Sequence, residues 1–291
     1  VGTLAIDAPV LLASALATRL ATGIVLIVFV LAALFVLPLL AFGIVLLLAV
    51  AGIGFEWATL IGIRAFSRTL FATLVFALGA VLLWLCGTRG FDAIVPIACG
   101  IATLGWIALG IPSVLANWQP SSIVPRAIFA VVALEGAFVA IIALRVHSPW
   151  LALAAMAIVW IADTAAYFAG RGFGRRKLAA TISPGKTWEG AYGALVAVAI
   201  YALVLVPLAR RAGFEGAVDA GSIIAWVAFA VAIAALSIIG DLHESLLKRR
   251  AGAKDSGALL PGHGGILDRT DALLAAMPPV AIAATMILGP A

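Results

Sequence analysis

The sequence predicts an all-α, polytopic integral membrane protein with about nine transmembrane helices and a cytoplasmic N-terminus. Composition is the first reason. Of the 291 residues, 65% are apolar and only 11% are Asp, Glu, Lys or Arg, against about 45–50% and about 25% in soluble domains. The mean hydropathy of +1.23 points the same way. Nearly all of the length must therefore face lipid or other apolar helices. Spacing is the second reason: a helix that crosses the hydrocarbon core needs roughly 20 mainly apolar residues, and nine stretches supply them. The third is the division of basic residues between the loops.

In chain order the stretches are 20–37, 39–61, 69–86, 92–111, 127–144, 150–169, 190–208, 222–240 and 270–289. Pro38 parts the first two, which would otherwise read as one long bent helix. The other breaks fall on Gly, Pro or charge clusters such as Arg64–Arg68, Gly87–Gly90, Pro112–Arg126 and Gly170–Lys186. Nine spans sort the loops onto two sides. One side receives 14 Lys and Arg residues; the other receives only the four residues Arg89, Arg145, Arg210 and Arg211. Basic residues accumulate in cytoplasmic loops, which puts the N-terminus in the cytoplasm and the C-terminus outside. The net charge of +5 and pI of about 9.7 are then explained without nucleic acid, and no nucleic-acid partner is expected.

Val1–Leu20 lacks the basic n-region and cleavage site of a signal peptide, so no removable leader is expected there. Cys86 and Cys99 lie in apolar runs without metal-ligand spacing and read as packing residues. No internal period of 20–50 residues is present. The chain divides into N-terminal transmembrane helices, 1–149, and a region 150–291 with two charged loops on one side, 170–189 and 241–271.

The 241–271 segment carries the densest charge. Asp241, Glu244, Ser245 and Lys248 stand at i, i+3, i+4 and i+7, one face of a helix. The eighth span is therefore expected to continue as an amphipathic helix whose polar stripe starts with Asp241 at the membrane boundary. Gly262, Gly264 and Gly265 then allow positive φ and close approach of backbone amides to an anion. Asp268, Arg269 and Asp271 sit at the entrance to the last apolar span, where carboxylates are costly unless paired or bound to a cation. Hard oxygen ligands beside Lys and Arg are what a Mg²⁺–polyphosphate site needs.

In the other loop, Ser183 followed by Pro184 reads as N-cap and first residue of the seventh span. Lys186 and Thr187 would then lie beside free helix amides that suit an anion. Gly185-Lys186-Thr187 is not a nucleotide P-loop, because Ala180 stands where that motif needs glycine and no strand precedes it. Asp163, inside an apolar run, is a functional residue by default, against the alternative of a hydrogen bond to Tyr167.

Positions 245–271 resemble the phosphatidate cytidylyltransferase family, the synthases of CDP-diacylglycerol. Ser245, Leu247, Lys248, Arg249, Lys254, Asp255, Gly257, Leu260, Pro261, His263, Gly264, Gly265, Ile266, Asp268, Arg269 and Asp271 fill every defined place of its signature. The runs 183–190 and 163–167 are similar to the family as well, whereas His243 stands where the family commonly has Phe. The resemblance covers roughly 160–280; the first 150 residues match only as apolar spans. It implies transfer of CMP from CTP to phosphatidate, giving CDP-diacylglycerol and pyrophosphate, by a multi-pass protein of the inner membrane in phospholipid biosynthesis.

On that reading Asp241 and Asp268 hold a divalent cation, most simply Mg²⁺, with Asp271 assisting. Lys248, Arg249, Lys254 and Arg269, with Ser183, Lys186 and Thr187, bind phosphates. His263 donates a hydrogen bond to phosphate, Gly264 and Gly265 supply amides, and Asp163 and Asp255 complete the substrate site. Asp241, Asp268 and Lys248 are the catalytic set. CTP, phosphatidate and membrane lipid are the expected partners, and a homodimer is an open choice of assembly. A transferase acting on another lipid phosphate or polyprenol is the nearest rival. A cation-coupled transporter would place its ionisable groups nearer the bilayer midplane.

Overall fold

A computed structural model describes residues 8–211 and 220–289; Val1–Asp7, the first part of the segment read for a leader, lies outside the described residues. Helices α1 (Ala8–Phe35), α2 (Leu39–Leu60), α3 (Ala65–Arg89) and α4 (Phe91–Gly105) open the chain. The fourth span continues through a π-helical turn, Trp106–Gly110, into α5 (Ile111–Leu115). Then come α6 (Ile123–His147), α7 (Pro149–Phe173), a hairpin of β1 (Lys177–Ala179) and β2 (Ser183–Thr187), α8 (Trp188–Arg211), α9 (Ala220–Ala251) and α10 (Leu267–Leu288). Eight described helices are long and apolar enough to cross a membrane; the described apolar part of α1, Ala21–Phe35, is shorter.

These elements follow the sequence reading closely. Pro38 does separate α1 from α2. Ser122 and Ser148 cap α6 and α7, their hydroxyls accepting from the amides of Val124 and Trp150. The π turn comes just before Pro112, which has no N–H to continue the ladder. Cys86 and Cys99 are free and buried.

Helix α6 is the axle of the bundle. Of its most apolar window 72% is buried, the largest share of any span, and Phe129, Leu134, Phe138 and Ile142 lie in the core. Helix α10 lies beside it, with Leu273, Leu274 and Met277 in the same core. Trp106 ties α10 to the π turn by donating to the Leu274 carbonyl at 3.0 Å. By contrast, large residues of α1, α3 and α8 such as Ile27, Leu70 and Val196 are exposed. They form the outer, lipid-facing surface of such a bundle.

Hydrogen bonds between distant loops show which loops share an end. Arg126 donates to the Ile61 carbonyl, Arg250 to that of Asn117 and Arg249 to that of Ile182. Thr22 donates to the Pro261 carbonyl. Together these bonds gather the loops assigned to the basic side at one end. At the opposite end Arg145 donates to the Leu37 carbonyl at 2.8 Å.

Two assignments change: a short strand, β1, does precede Gly185-Lys186-Thr187, and the seventh helix starts later than expected. Ser183 and Pro184 do not start the seventh helix; they begin β2, paired antiparallel with β1 in the register Lys177↔Thr187 and Ala179↔Ser183. Strand pairing satisfies backbone groups that a free helix start would leave orphaned. The capping role passes to Thr187, whose Oγ1 accepts from the Gly190 amide at 3.1 Å.

Candidate active site

Helix α9 runs unbroken for 32 residues, about 48 Å at 1.5 Å per residue. That exceeds the roughly 30 Å hydrocarbon core, so its last turns carry the polar stripe beyond the apolar zone. Its two faces divide the work. Leu242 and Leu246 pack with Ile182 and Val114 in a small separate core that seats the hairpin. The other face presents Asp241, Glu244 and Lys248 toward α10.

Two ion-pair centres form there. Lys248 Nζ lies 2.6 Å from Glu244 Oε2 and 2.7 Å from Asp268 Oδ1. Lys186, carried in by β2, pairs with Asp241. Both loops singled out in the sequence therefore supply one half of a joint site. Asp163 is exposed on α7, within electrostatic reach of Asp241 and Lys186. Asp271 feels Asp241, Glu244 and Lys186, and so links the two centres.

The antiparallel pairing of α9 and α10 sets the levels. Gly240 packs on the backbone of Asp271 and Ala272, which brings Asp241 level with Asp271. Glu244, about one turn along α9, is level with Asp268, and Lys248, a further turn on, reaches back to both carboxylates.

Asp268 is densely bonded. Its Oδ2 accepts from the Ser256 amide at 2.9 Å, the Ser256 hydroxyl at 3.0 Å and the Gly265 amide at 2.8 Å. Its Oδ1 accepts from Lys248 Nζ. The Gly265 amide, expected to face phosphate, is thus held by a carboxylate of the chain itself. Gly264 has φ +82° and takes part in a bridge to Leu260; a methyl group there would press on Asp268 and Asp255.

The remaining site residues are spread around this centre. Arg249 donates through Nε to the Ile182 carbonyl at 3.1 Å. Arg269 grips the His263 carbonyl through Nε and Nη2 at 3.1 and 2.7 Å. Lys254 and Asp255 are exposed, and His263 is half-buried with Nδ1 unpartnered among the described residues. Ser183 and Thr187 lie at the two ends of β2, with Thr187 buried as the helix cap. Asp163 is not bonded to Tyr167, whose hydroxyl instead accepts from Arg171 at 2.8 Å.

His243 is buried among Trp57, Trp106 and Phe129, with ring centroids 5.8, 5.5 and 5.3 Å away. It lies off the polar stripe, as an aromatic residue would.

Sequence reasoning missed Glu56. This residue of α2 is 3% exposed and accepts from the Ile266 amide at 3.1 Å, the Leu267 amide at 2.9 Å and the Ser256 hydroxyl at 3.0 Å. A carboxylate inside the second apolar span was the available signal.

The donors suit a hard divalent cation. Asp241 pairs with Lys186, and Asp163 and Asp271 lie close to that pair. Among the described residues no three His, Cys, Asp or Glu side chains converge as a complete cage. Mg²⁺ needs no such cage: it commonly keeps waters and uses one or two carboxylates with substrate phosphates.

Residues 17–287 match the model of the cytidylyltransferase family, so the likeness reaches well into the N-terminal half. A phosphatidate cytidylyltransferase of Haemophilus influenzae is 45% identical over 132 residues, covering 45% of this chain and 44% of the relative. The enzyme of that name from Pseudomonas aeruginosa is 45% identical over 128 residues, 44% of this chain and 45% of the relative. The one from Thermotoga maritima is 40% identical over 131 residues, 44% and 46%. Each aligned stretch spans less than half of the relative's length. With the family match covering nearly the whole chain, this polytopic α-helical protein belongs to the cytidylyltransferase family.

Proposed function

We propose that the protein transfers CMP from CTP to phosphatidate, giving CDP-diacylglycerol and pyrophosphate at the cytoplasmic face of the inner membrane. The observation that carries this reading is the meeting of Lys186–Asp241 and Lys248–Glu244–Asp268 in one acidic and basic cluster where α9 leaves the apolar zone. The names of the relatives point to the same reaction. The distribution of Lys and Arg supports a cytoplasmic N-terminus.

The chemistry asks little of a general base. Phosphatidate is a phosphate monoester whose second pKa is about 6, so it is largely dianionic at neutral pH. One of its oxygens attacks the α-phosphorus of CTP, the bond from that phosphorus to the β-bridging oxygen breaks, and pyrophosphate leaves with the electron pair. The obstacle is repulsion between two anions, and catalysis of such transfers is chiefly positioning and charge stabilisation. A bound Mg²⁺ supplies charge neutralisation on the triphosphate. Asp241 and Asp268 are the residues to hold it, with Asp163 and Asp271 adding negative charge. Asp268 would offer Oδ1, the oxygen that accepts from Lys248.

Lys186 and Lys248, the two ammonium groups of this cluster, would meet phosphate oxygens. Lys254, Arg249, Arg269 and His263 ring the same end of the bundle and add donors. CTP reaches this end from water, while phosphatidate enters from the inner leaflet with its tails left in lipid.

The test is direct. Detergent-purified protein is incubated with labelled CTP, phosphatidate and Mg²⁺, and lipid-linked CMP and pyrophosphate are followed. Equal yields of both are expected. No labelled lipid, where a positive control gives it, would sink the proposal; label on another lipid phosphate only would move it to a different substrate.

A further inference from the structure

The loop between α9 and α10 presents a puzzle of charge. It donates to Asp268 in the first turn of α10, and it also holds a second anion, Glu56, 210 residues away in sequence from Ile266. Helix α10 has no capping side chain of its own: Ile266 at its N-cap offers no side-chain hydrogen bond. The Glu56 carboxylate fills that place from α2, taking the amides of Ile266 and Leu267. Orphan amides at a helix start favour an anion of this kind.

Glu56 is also built into the loop sterically. A methyl group on Gly257 or on Gly265 would run into its carboxylate. These two glycines of the signature are thus explained by contact with Glu56, since neither has a positive φ. Ser256 joins the two acids: its hydroxyl lies 3.0 Å from Glu56 Oε2 and 3.0 Å from Asp268 Oδ2. A hydroxyl has one proton to donate. The Ser256 amide stays on Asp268, so the hydroxyl can serve Glu56 without releasing the second acid.

We propose that Glu56 is a positioning residue for the reaction: from the N-terminal half it holds the start of α10 and the 255–266 loop in the register that sets Asp268 against Lys248. It touches neither substrate nor reacting atoms. The inference rests on the proposed function only in taking Asp268 and Lys248 as catalytic; the hold on the loop is independent of it. It also gives the N-terminal helices a part in the chemistry that they otherwise lack.

The experiment uses the full chain in detergent, wild type against Glu56→Gln, which keeps size and removes the charge. Hydrogen–deuterium exchange is read over 256–268 and, as a reference, over α6; kcat and KM for CTP are read in the transfer assay. The expected result is exchange at least about tenfold faster in 256–268 with α6 unchanged. The accompanying kinetic change is kcat lowered about 10- to 100-fold with KM for CTP within about threefold, as for loss of an effect made in the transition state. Glu56→Asp, with its charge restored on a shorter arm, recovers part of kcat.

Wild-type exchange in Glu56→Gln overturns the hold on the loop. Faster exchange with kcat within twofold of wild type overturns the positioning role and leaves Glu56 structural. If wild-type protein transfers no CMP, the proposed function fails while the exchange arm still decides the hold. Should Glu56→Gln not accumulate as folded protein, Ser256→Ala breaks the bridge from the loop side. Wild-type kcat and exchange in that variant would equally overturn the proposal.

Discussion

Asp268 and Lys248 carry the sharpest residue-level expectation. Asp268→Asn keeps an oxygen that can still accept from Ser256 and Gly265, so the loop retains its amide contacts. Lys248 keeps Glu244 as counter-ion. The fold should therefore hold while the charge on Oδ1 is lost. With purified protein at saturating Mg²⁺, kcat should fall by about 100-fold or more, the scale seen when a transition-state electrostatic partner is removed. Normal turnover would show that Asp268 is not a cation ligand. Glu135 makes a contrast. It is 4% exposed, and neither carboxylate oxygen has a partner among the described residues. Gly79 on α3 leaves room for it, but it stands away from the charged end. At this scale the polar stripe on α9 was legible, because i, i+3, i+4, i+7 spacing needs only helix geometry. Glu56 was not, since its partners are more than 200 residues distant.

Among the elements, the α9–α10 turn is the most constrained. Gly265 packs against the Ser256 hydroxyl and the Glu56 carboxylate, with no room for a β-carbon. Gly265→Ala should destabilise by about 1–3 kcal/mol, as overpacking does. A thermal melt in detergent would read this as a lower midpoint, and an unchanged midpoint would mean that the loop yields freely. The hairpin 177–187 teaches a different lesson. Ser-Pro before a helix is a sound capping signal, yet Ser183 and Pro184 pair with β1 instead. Leu178 and Ala179 of β1 pack against the small core that Leu242 and Leu246 offer. Arg249 adds a bond to the Ile182 carbonyl, and Glu189 accepts from the Arg175 amide at 3.0 Å. Tertiary contacts outweighed the local preference, and Lys186 is presented to Asp241 by a strand end rather than by a helix start.

For the whole molecule, hydrogen bonds gather the Arg126, Arg249 and Arg250 loops at one end and the Arg145 loop at the other. Sidedness in the membrane follows from the excess of Lys and Arg on the first end. In inverted and right-side-out vesicles, Ala258→Cys should react with an impermeant maleimide only when the cytoplasmic face is outward. Arg89→Cys should react only in the opposite orientation. Both positions are exposed, while Cys86 and Cys99 are buried. Labelling of both on one face would reject the nine-span arrangement.

The sequence by itself determined the membrane class, the placement of the spans and the two loops that supply the charged cluster. These depend on apolar length, helix period and charge, all local properties of the chain. The tertiary structure decided which charges meet. It levelled Asp241 with Asp271, set Lys248 between Glu244 and Asp268, and drew Glu56 from α2 onto the start of α10. Those pairings arise because helices far apart in sequence pack side by side, and a buried carboxylate must be satisfied by whatever donors that packing brings within reach.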